Sequence, residues 1–288
     1  MSYRAVAKKD FQDGIRSKLL WGLVALFVLS IAGFSLIASR GATSPGEDEL
    51  FLIGVLGVSA VLAITILIPL TGLVVSIKSI VRERELGSIK VLLSLPHTRG
   101  EVIVGKFIGR SGLLTAAILS GFVPAALIVL VHFGTLPVYE YVAFVLVTLL
   151  FGTVFVAVGI GMSSLVSTET RANVAGFGFF ILLYFWDSIF GWINGQLGLF
   201  SGDAERLVFR FDLFVVFWDS LMALLSIRYD EIPNASAVAY GETFQTDLAG
   251  EAASQPFYLQ HWFAFVILAL WIAVPLAIGY RRFERTDL

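Results

Sequence analysis

The chain has 288 residues, 57% of them hydrophobic and 15% charged, with a formal net charge of −2. A soluble domain carries about 25% charged residues and cannot hide so much apolar surface in one core, so the composition excludes an ordinary water-soluble fold and points to a bilayer. The absence of cysteine excludes disulfides, thiol nucleophiles, thiolate zinc sites and iron–sulfur ligation.

In chain order, residues 1–18 form a basic, amphipathic segment with Arg4, Lys8, Lys9, Arg16 and Lys18. The next apolar run, Leu19–Ala38, is longer than the 7–15 residues of a signal-peptide core, and it is read as a retained first span. A hydrocarbon core of about 30 Å needs roughly 20 apolar helical residues. Five further stretches meet that need: Phe51–Ile77, Gly112–Phe133, Tyr141–Val166, Asn173–Ile193 and Trp262–Tyr280. No alternating strand pattern of barrel type occurs, so the fold expected is an all-α polytopic membrane protein of six transmembrane helices, one transmembrane domain over 1–288. The second stretch is too long to stand upright and is expected to tilt, to kink at Pro69, or to run on into water. Pro124 and Pro275 mark further candidate kinks.

Lys and Arg set the orientation. With the N-terminus inside, sixteen of the twenty fall on the cytoplasmic side and four outside, so both termini are expected in the cytoplasm. The larger outside segment, 194–261, holds nine acids against three bases. Its stretch Leu207–Ile227 is apolar enough to suggest a seventh span, but Arg210, Asp212 and Asp219 interrupt it and a seventh span would move the basic C-terminus outside, so it is read as a helix lying in the outer interface or dipping into the membrane. The tetrapeptide FWDS occurs at Phe185–Ser188 and Phe217–Ser220. Either both copies mark the outer boundary, with Trp at headgroup depth and Asp in water, or the repeat is coincidence. Small residues at four-residue spacing, Ala157/Gly161 and Gly159/Ser163, with Gly176 and Gly178, favour close helix packing within one subunit or between two.

Catalytic constellations are not apparent. The three histidines, His97, His132 and His261, are far apart in sequence, and no paired metal-ligand spacing or nucleophile elbow occurs. Asp187 lies near the outer end of its span, where reaching water is explanation enough. Gly100–Phe107 fits the first part of a P-loop but ends in Phe107 where Mg²⁺ needs a hydroxyl, and Glu101 would repel phosphate. The chain is therefore read as non-enzymatic and without its own motor.

The distinctive feature is the charge block between the second and third spans. Seven of the twenty Lys and Arg lie between Lys78 and Arg110, interleaved with Glu83, Glu85 and Glu101. Leu86, Ile89 and Leu93 recur at helical spacing, which predicts a short amphipathic helix with its first turns loosened by Gly87 and its end set by Pro96. Thr98 and Glu101 then match a capping box that starts a second helix. The result is a helix–turn–helix elbow over 78–110. Such a block is either a basic loop that fixes topology and touches anionic lipid, or a rigid lever presented to a partner, with mixed charges setting register.

The stretch ERELGSIKVLLSLPHTRGEVIVGK resembles the signature of ABC-2-type transporter permeases. The matching residues are Glu83, Arg84, Glu85, Gly87, Ser88, Leu92, Leu93, Pro96, Arg99, Gly105 and Lys106. The basic N-terminal segment, the six spans and the closing RRFERTDL agree more loosely, so the resemblance covers most of the chain. The segment AKKDFQDGIRSK is most similar to the branch that serves assembly of a copper enzyme for nitrous oxide reduction. The resemblance implies a multi-pass protein of the prokaryotic cell membrane, an exporter permease paired with a second copy or a paralogue. Two copies of a separate ATPase would carry ATP and Mg²⁺, and no cofactor would sit on this chain. The elbow would be the coupling helix, with Arg82 joining the matched residues as the ATPase-coupling set. Membrane lipid and an extracytoplasmic partner at 194–261 are further expected contacts; nucleic acid is not. Two other functions compete: a force transducer that moves no solute, and an ion-coupled secondary carrier, which would need intramembrane acids and paired broken helices.

Overall fold

Helix α1 (Tyr3–Ile15) is amphipathic and turns Val6, Ala7, Asp10 and Gly14 inward. It ends in a two-residue break, where the Ser17 hydroxyl accepts the Leu20 N–H and caps α2 (Lys18–Phe27). Together with a π-turn at Val28–Ala32, α2 runs into α3 (Gly33–Gly41) to form the first apolar span. This computed structural model describes residues 3–41, 61, 63–87, 98–228 and 257–285, and every regular element among them is helical.

Of the second stretch, the part before residue 61 lies outside the described residues. From Ala63 the chain forms a π-turn (Ala63–Leu67), then α4 (Ile68–Ser76) with Pro69 in its first turn. Proline has no N–H and its ring clashes with the carbonyl four residues back, so the widened turn immediately before Pro69 is where the distortion is absorbed. The chain stays helical beyond Ile77, through turns at 77–80, into α5 (Val81–Glu85).

The third span belongs to α6 (Arg99–Phe133), whose 35 residues run through Pro124 unbroken. The expected capping box is formed: the Thr98 hydroxyl accepts from the Glu101 N–H at 3.2 Å, and the Glu101 carboxylate accepts from the Thr98 N–H at 3.0 Å. Gly134, in the left-handed region at φ 74°, closes the helix, and α7 (Val138–Leu165) returns as the fourth span. In lipid there is no hydrophobic drive between helices, so close van der Waals packing has to supply the association. Accordingly α7 carries small residues at its crossings. Gly159 lies against Ser76 of α4, and Gly161 against Pro275 of the last helix. Ser163 accepts the N–H groups of Ile80 and Val81, both at 3.0 Å, which satisfies the backbone where α4 gives way to α5. These small residues therefore serve contacts within one chain; Gly176 meets Ile77, while Gly178 has open space beside it.

The fifth stretch is not one straight helix. α8 (Glu169–Tyr184) and α9 (Trp186–Leu197) meet at Phe185 with a bend of 70°. The last span is α12 (Phe263–Glu284), so among the described residues five helices are long and apolar enough to cross a membrane, or six if the bent pair is one span.

The chain divides into two units, Met1–Gly176 with Trp271–Leu288, and Phe177–Leu270. In the second unit, α10 (Asp203–Phe209) and α11 (Leu213–Leu225) replace the single apolar helix expected at 207–227. Thirteen residues of α-helix span about 20 Å, short of a bilayer core. The charges that interrupt this stretch are used. Arg210, between the two helices, is fully buried and pairs with buried Asp219 at 2.7 Å, while it donates to the Gln260 carbonyl at 2.8 Å. His261 Nδ1 stands 3.7 Å from the same carboxylate. The two FWDS copies thus do different work: Asp187 is exposed, and Asp219 is inside.

Candidate functional site: a charged clasp around the elbow

The elbow's first limb begins where α4 ends. Its short helix α5 stops because Gly87 takes a left-handed φ of 70°, which glycine adopts without a Cβ penalty. Gly87 therefore ends this helix rather than loosening it. Ser88, Leu92, Leu93 and Pro96, with Ile89 of the expected apolar stripe, lie outside the described residues, while Leu86 of that stripe is exposed. The second limb starts at Thr98 and Arg99 and continues as α6.

Five matched charges on these limbs each reach a partner within the chain. Arg84 donates to the Val166 carbonyl at 3.1 Å and lies 3.5 Å from the Ser164 carbonyl, at the C-terminal end of α7. The Glu85 carboxylate accepts the Glu169 N–H at 3.0 Å, at the start of α8. A helix leaves bare carbonyls and partial negative charge at its C-terminus, and bare N–H groups and partial positive charge at its N-terminus. A cation followed by an anion is the order that the 166–169 turn requires. Arg99 on the second limb donates to the Phe283 and Glu284 carbonyls at the end of α12, with its guanidinium 5.4 Å from the Phe283 ring centroid.

Lys106 joins the two limbs. Its ammonium is almost wholly buried, 2.7 Å from Glu83 Oε1 and 3.6 Å from Asp10 Oδ1. Burying an ammonium is tolerable only with such partners. One turn below, Arg110 meets both Asp10 oxygens, Nε at 2.7 Å from Oδ2 and a terminal nitrogen at 2.9 Å from Oδ1, and also donates to the Val75 carbonyl at 3.1 Å. Gly105, the other half of the matched Gly-Lys pair, lets α1 close on α6: a Cβ there would lie 2.6 Å from Val6 Cβ and 2.8 Å from the Tyr3 carbonyl oxygen. Arg82 is mainly exposed and stands 3.8 Å from Glu169, which also pairs with Lys78 at 3.2 Å.

By sequence these charges belong to an outward socket. The geometry turns most of them inward, onto helix ends, all within the first unit. It also adds Asp10, Arg110 and Glu169, which lie outside the family signature, and gives Ser163, read from the sequence as a packing residue, a hydrogen-bonding role. For Asp10 a signal existed, since it is the single acid on a face otherwise made of Val6, Ala7 and Gly14.

These features describe a multi-pass helical membrane protein with a charged elbow held by its own helix ends. The family described as ABC-2 family transporter protein matches residues 4–288, and the chain belongs to that family. It is similar to the protein named "Probable ABC transporter permease protein NosY" of Pseudomonas aeruginosa, with 33% identity over 189 residues, 62% of this chain and 66% of the relative. The protein of the same name from Stutzerimonas stutzeri is 31% identical over 182 residues, covering 62% and 64%. The chain thus spans just under two thirds of the length of these curated relatives. Family and apolar helices together make it a multi-pass protein of the prokaryotic cell membrane.

Proposed function

We propose that the chain is the membrane half of an ATP-driven exporter, worked by a separate ATPase subunit through the elbow. Two copies of that ATPase, carrying Mg²⁺ and ATP, would serve a pair of permeases, either two of these chains or one with a paralogue. No cofactor is needed on this chain. The observation that supports this best is the placement of Arg84, Glu85 and Arg99 on the ends of α7, α8 and α12. A push on the elbow would then reach three membrane helices through short charge-assisted bonds, which are stronger than neutral ones. The coupling set remains Arg82, Glu83, Arg84, Glu85, Gly87, Ser88, Leu92, Leu93, Pro96, Arg99 and Lys106. Within it the inward charges act as transmission, and Leu92, Leu93 and Pro96 as the apolar seat on the ATPase.

The test is affinity purification from native membranes in mild detergent, with identification of what stays bound. A soluble protein with a complete P-loop is expected. Exchanging the charges, Arg84→Glu with Glu85→Arg, sets a carboxylate against bare carbonyls and a guanidinium against bare N–H groups. Membrane insertion is expected to persist while permease-dependent ATP hydrolysis falls. Unchanged hydrolysis would count against the lever.

Both termini are taken to be cytoplasmic, on the sixteen-to-four distribution of Lys and Arg. A tag after Leu288 is expected to resist labelling from outside intact cells; labelling would invert this orientation. A second reading, transduction of force to an extracytoplasmic protein, draws support from the buried Arg210–Asp219 pair, which makes part of 194–261 a firm body rather than a loose loop. An extracytoplasmic protein in the same purification would favour it.

A further inference from the structure

We propose that Asp10 is a positioning residue of the coupling apparatus, fastening α1 to both limbs of the elbow so that all three move as one body. This rests on the coupling function proposed above and deepens it. Asp10 is buried on the inner face of α1, and its carboxylate bridges two cations one turn apart on α6: Arg110 through both oxygens, and Lys106 at 3.6 Å. Lys106 passes the link to Glu83 of α5 at 2.7 Å. A carboxylate–ammonium–carboxylate chain thus joins three segments that are remote in sequence, and Arg110 extends it to the Val75 carbonyl of α4.

Packing alone does not require this chain. Gly105 and Gly109 already bring α1 into backbone contact with α6; a Cβ at 109 would lie 2.9 Å from the Ala7 carbonyl oxygen. Buried ion pairs are a poor route to stability, since apolar replacements are often as stable, whereas they fix register well in several systems. What the charges add is a set angle between α1 and the elbow. The N-terminal helix becomes part of the lever rather than a float on the membrane.

The experiment uses the full chain reconstituted in nanodiscs with the P-loop ATPase that co-purifies with it. Asp10→Asn is expected to hold that ATPase at wild-type stoichiometry while stimulation of ATP hydrolysis drops at least about fivefold, the lower end of typical coupling between sites. Asp10→Glu restores most of it, and Gln12→Ala, on the exposed face of α1, leaves it unchanged. The chain has no cysteine, so a Phe11→Cys/Gly112→Cys pair joined by a short, reducible bis-methanethiosulfonate linker is the sole cross-link; a Cβ at 112 lies 3.2 Å from the Phe11 ring, so the linker takes the place of that ring. In the Asp10→Asn background, cross-linking this pair restores stimulation and reduction of the linker removes it. Wild-type stimulation by Asp10→Asn, or a completed cross-link without effect, overturns the role of Asp10. If Asp10→Asn does not fold, Glu83→Gln loosens the far end of the same chain and is held to the same outcomes. A wild-type chain that leaves the ATPase rate unaltered overturns the coupling function itself.

Discussion

Replacing Gly161 by leucine is expected to cost the protein about 3 kcal/mol or more of stability, the upper end of overpacking penalties. At this crossing of α7 and α12 a Cβ on residue 161 would lie 2.6 Å from the Pro275 carbonyl oxygen and 3.0 Å from the Pro275 carbonyl carbon. The obstacle is backbone, which cannot swing aside as the end of a flexible side chain does. Gly279 makes the contact reciprocal, since a Cβ there would stand 3.0 Å from the Gly161 Cα. The helices have to separate, and with them the seat of Arg99 on the last carbonyls of α12. Thermal unfolding in detergent checks this: a large drop for Gly161→Leu, a smaller one for Gly161→Ala, and little change for Gly178→Leu, where space is open. Equal melting of the 161 and 178 variants would show that the crossing is looser than these distances imply.

The second large effect is expected at Asp219. Removing one partner of a buried ion pair typically destabilises by about 3–5 kcal/mol, because the other charge stays behind. Asp219→Ala would take away the carboxylate 2.7 Å from the fully buried Arg210 guanidinium, which also donates to the Gln260 carbonyl at 2.8 Å. Removing both charges, Arg210→Met with Asp219→Leu, is expected to recover most of the loss. A double-mutant cycle read by thermal unfolding then gives a large coupling energy. Exposed Asp187→Ala is the reference; an Asp219→Ala chain no less stable than that one would mean the pair contributes nothing.

What could be read in advance depends on the range of the interactions. The capping box at Thr98 and Glu101 was legible because both partners lie within four residues. The spans were legible because lipid imposes a length and a composition on each. The break at Phe185 was not, since neither proline nor glycine stands at the bend. Arg84 and Glu85 were recognised as a motif, but their targets at Ser164, Val166 and Glu169 lie some eighty residues away. No local pattern distinguishes a charge aimed at another protein from one aimed at a helix end. The same holds for Arg210 and Asp219, which read as interruptions of an apolar stretch and form a buried ion pair. Gly161 was legible as a small residue at a packing spacing, yet its partner, Pro275, became known only from the fold.

The depth of Lys106 has a consequence for the response of the clasp to salt. Dissolved ions weaken attraction between charges they can approach, over about 8 Å at physiological ionic strength and about 3 Å in molar salt, while buried pairs are screened far less. The Lys78–Glu169 and Arg82–Glu169 pairs, with 31–66% of their side-chain surface exposed, belong to the first kind. Lys106, at 2%, belongs to the second. Concentrated salt would therefore loosen the outer ring of contacts around Glu169 and spare the inner link from Glu83 through Lys106 to Asp10.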